Sequence, residues 1–434
     1  MKAAVCNPPS STRTSTSSRK LRLPGTAPGC RICAARELRT VIDLGRMPLA
    51  NGLLTKQQLK KKEPSFPLVL AFCPRCSLVQ ITETVPPEIL FRQYPYFSSF
   101  SETMLRESRT LAERMISSRR LGGKSRVLEI ASNDGYLLQF YKQVGIPVLG
   151  VEPATNVAKV AREERGIRTI CQFFSSKMAR QLAAQGECAD VIHANNVVAH
   201  IADLEDFFQG IERILKPGGL AVIEVPYVKE MIERLEFDTV YHEHVSYFSL
   251  TALARAAKPH ELAITDVERL PIHGGSLRVF LEPRANHMQP ATSVRQMLEA
   301  EVKCGVTQFD FYRDFSVEVG QLKRKLVAFL GELKSQGRRI AAYGASAKGA
   351  TLLNYFGIGS ATLDFVVDRS TAKQNLYTPG THLPIFAPEK LLEVMPDYVL
   401  LLTWNFADEI LEQQAEYRKR GGGFIVPLPE PRVI

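Results

Sequence analysis

Apolar positions over residues 126–283 fall in short runs separated by polar stretches at helical spacing, the alternation expected of a sheet with crossover helices. Residues 126–130 (Arg-Val-Leu-Glu-Ile) predict a buried strand, 131–135 (Ala-Ser-Asn-Asp-Gly) a tight small-residue turn, and 136–144 a helix. A second strand over 148–151 ends in Glu152, and 190–195 is a fourth-strand candidate. Leu-Lys-Pro-Gly-Gly at 215–219 predicts a turn before a strand over 220–225. Residues 290–335 carry apolar positions at helical spacing and predict one or two long helices. A second strand–turn–helix unit follows, with strands over 338–343, 365–368, 397–402 and 423–426, and the small-residue turn Gly-Ala-Ser-Ala-Lys-Gly at 344–349. The fold class is therefore α/β, with two Rossmann-like units in one chain.

Length and charge refine this picture. A chain of 434 residues suits two or three domains. No window approaches 18 uninterrupted apolar residues and no apolar h-region opens the sequence, so a cytoplasmic protein without a membrane partner is expected. The net charge is +10, and Lys2, Arg13, Arg19, Lys20 and Arg22 place half of it in residues 1–29, which hold no acid. That Ser-, Thr- and Pro-rich stretch predicts a disordered basic tail over 1–28, a nucleic-acid arm or transit peptide being the alternatives. The mildly basic remainder does not call for nucleic acid and suits a small anionic substrate. Oligomeric state leaves no signal.

Eight cysteines are too few for a disulfide scaffold. Four form the pairs Cys30-x2-Cys33 and Cys73-x2-Cys76, 39 residues apart, with strand-like pieces at 40–44 and 68–72 between them. Two such knuckles can give four thiolates to one tetrahedral Zn2+, a closed and therefore structural site. Free thiols or a redox pair are the alternatives, but no βαβ unit flanks either pair. Cys6, Cys171, Cys188 and Cys304 show no paired spacing, and Cys171 and Cys188 read as buried apolar residues.

A strand, a tight turn and an acid at the next strand's end is how doubly wound folds hold nucleosides. Glu129-x5-Gly135, Glu152 and the 215–219 turn, in that order, resemble the class I S-adenosylmethionine-dependent methyltransferases, although Ala131 stands where a glycine is commoner. A dinucleotide site is disfavoured because no G-x-G-x-x-G occurs here. Tyr241-His-Glu-His-Val-Ser-Tyr247 gathers two histidines, a glutamate and two tyrosines, suited to acid–base work and oxyanion stabilisation. A metal site or a hydrogen-bonded surface turn are the other readings. Gln93-Tyr-Pro-Tyr-Phe-Ser-Ser-Phe100, Asn195-Asn-Val-Val-Ala-His200 and His273-Gly-Gly-Ser276 add polar groups, the last with glycines that permit close approach of a ligand. His260 and His287 read as surface residues. The turn at 344–349 offers backbone N–H groups and Lys348 to a phosphate at a helix N-terminus, but is not a P-loop.

Taken in order, the paired cysteines, Tyr94-Pro-Tyr96-Phe-Ser-Ser, Glu129-Ile-Ala-Ser-Asn-Asp-Gly135, Asn195-Asn-Val-Val-Ala-His200, Tyr241-His-Glu-His244, His273-Gly-Gly-Ser276 and Tyr343-Gly-Ala-Ser-Ala-Lys348 resemble the sugar C-methyltransferases acting on nucleotide-linked ketosugars. The resemblance spans roughly residues 29–430. It implies a zinc-binding module over 29–88, a class I S-adenosylmethionine methyltransferase domain over 89–286 and a Rossmann-like substrate-nucleotide domain over 287–434. It implies methylation of C3 of a dTDP-4-keto-deoxysugar through an enolate. His244 would be the base, a choice over His242 that rests on the resemblance. Tyr96, His200, Tyr241 and Glu243 would line the site. Ala131, Asn133, Gly135, Glu152 and Asn195 would hold the cofactor, and Ser276, Lys348 and Lys373 the substrate. Two alternatives stay open: the same architecture methylating O or N of another acceptor, and a zinc-ribbon protein that binds nucleic acid without catalysis.

Overall fold

The computed structural model describes residues 29–94, 96–286 and 289–434; the basic tail with Cys6, Pro95, His287 and the side chain of His273 lie outside the described residues. Strands β1 (Arg39–Pro48), β2 (Ser65–Phe72) and β3 (Val79–Ile81) pair antiparallel. β1 and β2 extend beyond the expected strands; in β1 the exposed Asp43 lies between the buried Ile42 and Leu44, and the exposed Arg46 precedes the buried Met47.

The central sheet contains β4 (Val127–Ile130), β5 (Val148–Val151), β6 (Thr169–Ile170), β7 (Ala189–Asn195) and β8 (Leu215–Pro226), all parallel. β9 (Ser246–Tyr247) leaves this sheet and pairs with β3 (Val79↔Tyr247, Gln80↔Ser246), becoming the fourth strand of the N-terminal sheet. β10 (Leu262–Leu270) and β11 (Ser276–Pro283) return to the central sheet and close it antiparallel against β8, in the order β10-β11-β8-β7-β4-β5-β6. The turn expected at 215–219 is absorbed into β8. Ala189 pairs with Leu215 and Val191 with Leu220, so the four residues between are looped out of the ladder as a bulge, Gly218 taking a φ of +75°.

Beyond residue 290, the helix Thr292–Cys304 packs back on the central core through Val294, Met297 and Leu298. Its buried Glu301 accepts the amides of Leu250 and Thr251. The helix Phe315–Ser335 buries Phe315, Val319, Leu322, Leu326, Leu330 and Leu333, the stripe that its spacing predicts. The last sheet holds β12 (Ile340–Tyr343), β13 (Val366–Val367), β14 (Ile385–Phe386), β15 (Tyr398–Leu401), β16 (Gly423–Val426) and β17 (Arg432–Val433), in the order β14-β13-β12-β15-β16-β17, with only β17 antiparallel. Each large sheet has a switch point, at β4/β7 and at β12/β15, where successive connections leave in opposite directions and open a crevice at the strand ends. Among the described residues no helix is long and apolar enough to cross a membrane.

His193 on β7 is fully buried beside the Tyr141 hydroxyl at 2.8 Å, and burial pulls its pKa down to about 3. The unfolded chain titrates this group near 6.5, so between those values it binds more protons than the folded one. Stability contributed by neutral His193 is therefore lost as pH falls from about 6.5 toward 3, at up to about 1.4 kcal/mol per pH unit. Urea unfolding compared at pH 4.5 and pH 7 checks this. His193→Phe should flatten the dependence relative to the parent, and an identical dependence in both proteins refutes it.

Candidate active site

Both crevices open into one cleft of about 660 Å3, lined from all three parts of the chain. Asn51, Thr84 and Val85 reach it from the N-terminal module, Glu152, Asn195, His200, Tyr241 and His244 from the middle, and Tyr343, Lys348 and Arg369 from the C-terminal part. The three parts meet where Ala50, Ala347 and Ala350 pack with Tyr241.

At the β4 end the backbone turns sharply, with Ala131 and Asn133 at φ +52° and +49° and Gly135 at +80°. A Cβ on Gly135 would also stand 2.9 Å from Ile167, so glycine is demanded there by space as well as by φ. Gly135 therefore shapes the turn from behind and does not line the cleft, whereas Ala131, Asn133, Glu152 and Asn195 do. Asn133 fastens the aromatic segment to this turn: its Oδ1 accepts the Ser98 amide (2.9 Å) and its Nδ2 donates to the Tyr96 carbonyl (3.2 Å). Glu152 accepts the amides of Asn133 (2.9 Å) and Ala154 (2.8 Å), and burial pushes its pKa up to about 7. The Asn195 Oδ1 is sealed from solvent with no hydrogen-bond partner among the described residues. An acid at the second strand's end and an unsatisfied amide at the switch point fit a ribose and an amino-acid or base edge, as S-adenosylmethionine presents.

The run 241–247 is neither strand nor helix before Ser246, and its turn sorts the side chains. His244 and Tyr241 face the cleft, and His242 faces away, its Nε2 on the Pro67 carbonyl (3.1 Å) and its ring edge-on to Phe66. His244 Nδ1 lies 3.1 Å from the Thr239 carbonyl, which can only accept, so the proton sits on Nδ1 and Nε2 presents a lone pair. The Tyr241 hydroxyl donates to that Nε2 at 2.8 Å, and burial keeps the phenol's pKa well above its ordinary value. His200 stands against His244, ring centroids 4.7 Å apart. Its Nδ1 donates to the Glu243 carbonyl (2.9 Å) and burial lowers its pKa to about 4, so it is neutral and a weak base. Tyr96 lines the cleft with more than a third of its surface open.

Glu243 does not line the cleft. Its buried carboxylate is gripped by Asn51 Nδ2 (2.8 and 2.9 Å) and touched by the Tyr94 hydroxyl (3.4 Å). It braces the segment while its carbonyl fixes the His200 ring. Ser276 also falls outside the cleft: it is buried, and its hydroxyl donates to the Ile272 carbonyl (3.1 Å). The neighbouring glycines admit the protein's own carboxylates rather than a ligand, since a Cβ on Gly274 would lie 2.3 Å from Glu236 and one on Gly275 1.8 Å from Glu230.

In the C-terminal crevice, Lys348 opens the helix Ala347–Phe356 with its ammonium 4.6 Å from the Trp404 ring centre. Lys373 lines the cleft but its ammonium is held by the Ala345 carbonyl (3.0 Å) and Asp368 (3.3 Å), so it braces the turn. Asn51, Tyr94 and Arg369 are site residues outside the sequence-level candidates. Tyr94 belongs to the aromatic cluster already singled out, whereas Asn51 carries no local signal.

The four knuckle sulfurs lie within 4.8 Å of one another, Cys30–Cys76 at 3.2 Å and Cys33–Cys73 at 3.6 Å. Zn–S bonds of 2.3 Å in a tetrahedron put sulfurs about 3.8 Å apart, so the donor set fits one Zn2+.

Three family models match in sequence: "Putative zinc binding domain" over residues 30–91, "Methyltransferase domain" over 100–267 and "C-methyltransferase C-terminal domain" over 271–429. The C-methyltransferase NovU of Streptomyces niveus is 35% identical over 405 residues, covering 93% of this chain and 96% of that one. The chain belongs to this C-methyltransferase family. It is an S-adenosylmethionine-dependent methyltransferase with a class I α/β fold, a cysteine zinc-binding module and an additional C-terminal domain. A ubiquinone biosynthesis O-methyltransferase of Roseobacter denitrificans is 36% identical over 100 residues, covering 22% of this chain and 39% of its own. Among solved structures, the PH0226 protein of Pyrococcus horikoshii aligns with a TM-score of 0.36 at 17% identity, covering 46% of this chain and all of that one.

Proposed function

We propose that this C-methyltransferase acts in the cytoplasm on C3 of a nucleotide-linked 4-keto-deoxysugar. The observation that carries the reading is the shared cleft: His244, with its lone pair on Nε2, stands between a nucleoside-type crevice and a second crevice bearing Lys348 and Arg369. The division into a zinc module over 29–88, a methyltransferase domain over 89–286 and a substrate domain over 287–434 belongs to the same proposal.

Ala131, Asn133, Glu152 and Asn195 hold S-adenosylmethionine, with Gly135 shaping their turn. When bound, the cofactor supplies an electrophilic methyl group. His244 Nε2 takes the C3 proton, which the adjacent C4 ketone acidifies, and the C–H electron pair becomes the C3–C4 double bond of an enolate. The Tyr241 hydroxyl, which occupies Nε2 beforehand, turns from it to donate to the developing C4 oxygen. His200 stays neutral and orients the base, Tyr96 walls the cleft, and Glu243 with Asn51 holds the segment rigid. Lys348 and Arg369 meet the diphosphate, with Lys373 bracing the turn beneath.

The test is a transfer assay with S-adenosylmethionine and a panel of nucleotide-linked 4-ketosugars, products being read by mass and 13C NMR. A new methyl on the carbon beside the ketone is expected. Methylation on O or N, or cofactor binding without any methylated panel member, overturns the acceptor reading.

A further inference from the structure

The cation of one half of the cleft and the base of the other are joined by a short string of contacts. Asp238 is fully buried in the single turn Phe237–Thr239, which immediately precedes Tyr241 and His244. Its Oδ2 accepts the indole N–H of Trp404 at 2.8 Å, and its Oδ1 has no hydrogen-bond partner among the described residues. Trp404 follows β15 in the turn Trp404–Phe406 and does not itself line the cleft, though Thr403 and Asn405 beside it do. The Trp404 ring carries the Lys348 ammonium on its face. On the other side, the carbonyl of Thr239, next to Asp238 in the chain, is the group that sets the His244 tautomer. The turn is also seated on the lysine's own helix: Phe237 stacks on Phe356 at 4.7 Å, and Thr351 Oγ1 donates to the Val240 carbonyl at 3.3 Å.

We propose that Trp404 and Asp238 are a positioning pair, which links occupancy of the anion site at Lys348 to the placement of His244. The proposal rests on the assignments of Lys348 and His244 made above. An anion that draws Lys348 off the indole face changes what the ring stacks against. The indole N–H is rigid with that face, so its bond to Asp238 transmits the change to residue 239 and hence to the Nδ1 bond of His244. The base would thus be aligned when the charged end of the acceptor is in place. Neither residue touches the reacting atoms.

The test uses the full-length, zinc-loaded protein with 15N-labelled histidine and inorganic pyrophosphate as the probe, the His244 signal being assigned through His244→Gln. Pyrophosphate should bind the parent protein and shift the His244 imidazole nitrogens. Trp404→Phe keeps an aromatic face but loses the N–H; it should bind pyrophosphate within about twofold of the parent and show no such shift. Its turnover should fall about tenfold with KM changed less than twofold. Asp238→Asn retains an acceptor oxygen and should keep the shift, whereas Asp238→Ala should lose it. Should Trp404→Phe fail to fold, Asp238→Ala cuts the same bond from the other end. A His244 shift that persists in Trp404→Phe or Asp238→Ala overturns the proposal, as does pyrophosphate binding to the parent without any shift. Absence of pyrophosphate binding overturns the anion-site reading of Lys348, and the coupling with it.

Discussion

His244→Asn is expected to lower methyl transfer by about 10^2- to 10^4-fold, the range of one general base. Asparagine can place a nitrogen near the position of Nδ1 and keep a donor toward the Thr239 carbonyl, but it has nothing basic at Nε2. Its effect should therefore be confined to proton removal. Exchange of the C3 proton with D2O should fall in parallel with turnover, while cofactor affinity stays within about twofold because Glu152, Asn133 and Asn195 are untouched. His242→Asn loses the bond to the Pro67 carbonyl and the ring contact with Phe66, at a cost of about 2 kcal/mol of stability, and should retain turnover within about threefold. His200, whose pKa burial lowers to about 4, is too weak a base to take over. Equal losses in the two variants, or a loss confined to His242→Asn, would sink the assignment, and so would undiminished C3 exchange in His244→Asn.

Stripping the zinc should also lower turnover, from a distance. Each knuckle is a turn with one residue in the left-handed region, Ala34 at φ +57° and Ser77 at +61°, closed by the bonds Cys30 N–Ala35 O and Cys73 N–Leu78 O. Structural zinc contributes about 10–16 kcal/mol in small zinc-finger peptides, and here it locks a module whose strand β3 carries β9. Arg31 donates to the Ile81 carbonyl at 2.7 Å, and the Ile81 amide donates to that of Val245, the residue after His244. A strong chelator at pH 7.5, or Cys76→Ser, should reduce turnover at least about tenfold. Loss of several kcal/mol should lower Tm by at least about 10 °C for a unit of this size. Calorimetry and the transfer assay on the same samples check both. Full turnover in metal-free protein would mean that the β3–β9 pairing holds unaided.

How much of this was legible depended on how local each signal is. Glu152 was, because its meaning comes from standing at the end of an apolar strand a fixed distance past a small-residue turn. The switch points were not, because the order of strands within a sheet is set by pairing between segments far apart in the chain. The cysteine pairs were legible because two-residue spacing is itself the geometry of a knuckle. The sorting of residues 241–247 was not, since a turn has no periodicity from which facing can be read. Asn51 could not be found, because it meets Glu243 across 192 residues and asparagine in a loop is ordinary. Ser276 was misplaced for the opposite reason: glycines announce a close approach without saying by what, and Glu230 and Glu236 were the answer. Trp404, the chain's single tryptophan, carried no local signal either, because its indole nitrogen meets Asp238 across 166 residues.

The loan of β9 to the N-terminal sheet also dictates an order of assembly. During synthesis the cysteine module emerges before the central part, and its strand β3 must wait with an unpaired edge for residues 246 and 247, more than 160 positions later. Until they arrive the edge is open to wrong partners, and the segment carrying Tyr241 and His244 has at its far end only the bond from the Val245 amide to the Ala199 carbonyl. The small module is thus the mould in which the reactive loop is cast. Grafting the central part of this chain onto another leader, or trimming residues 30–91 to obtain a minimal enzyme, would yield a protein that keeps its large sheet and lacks a working centre.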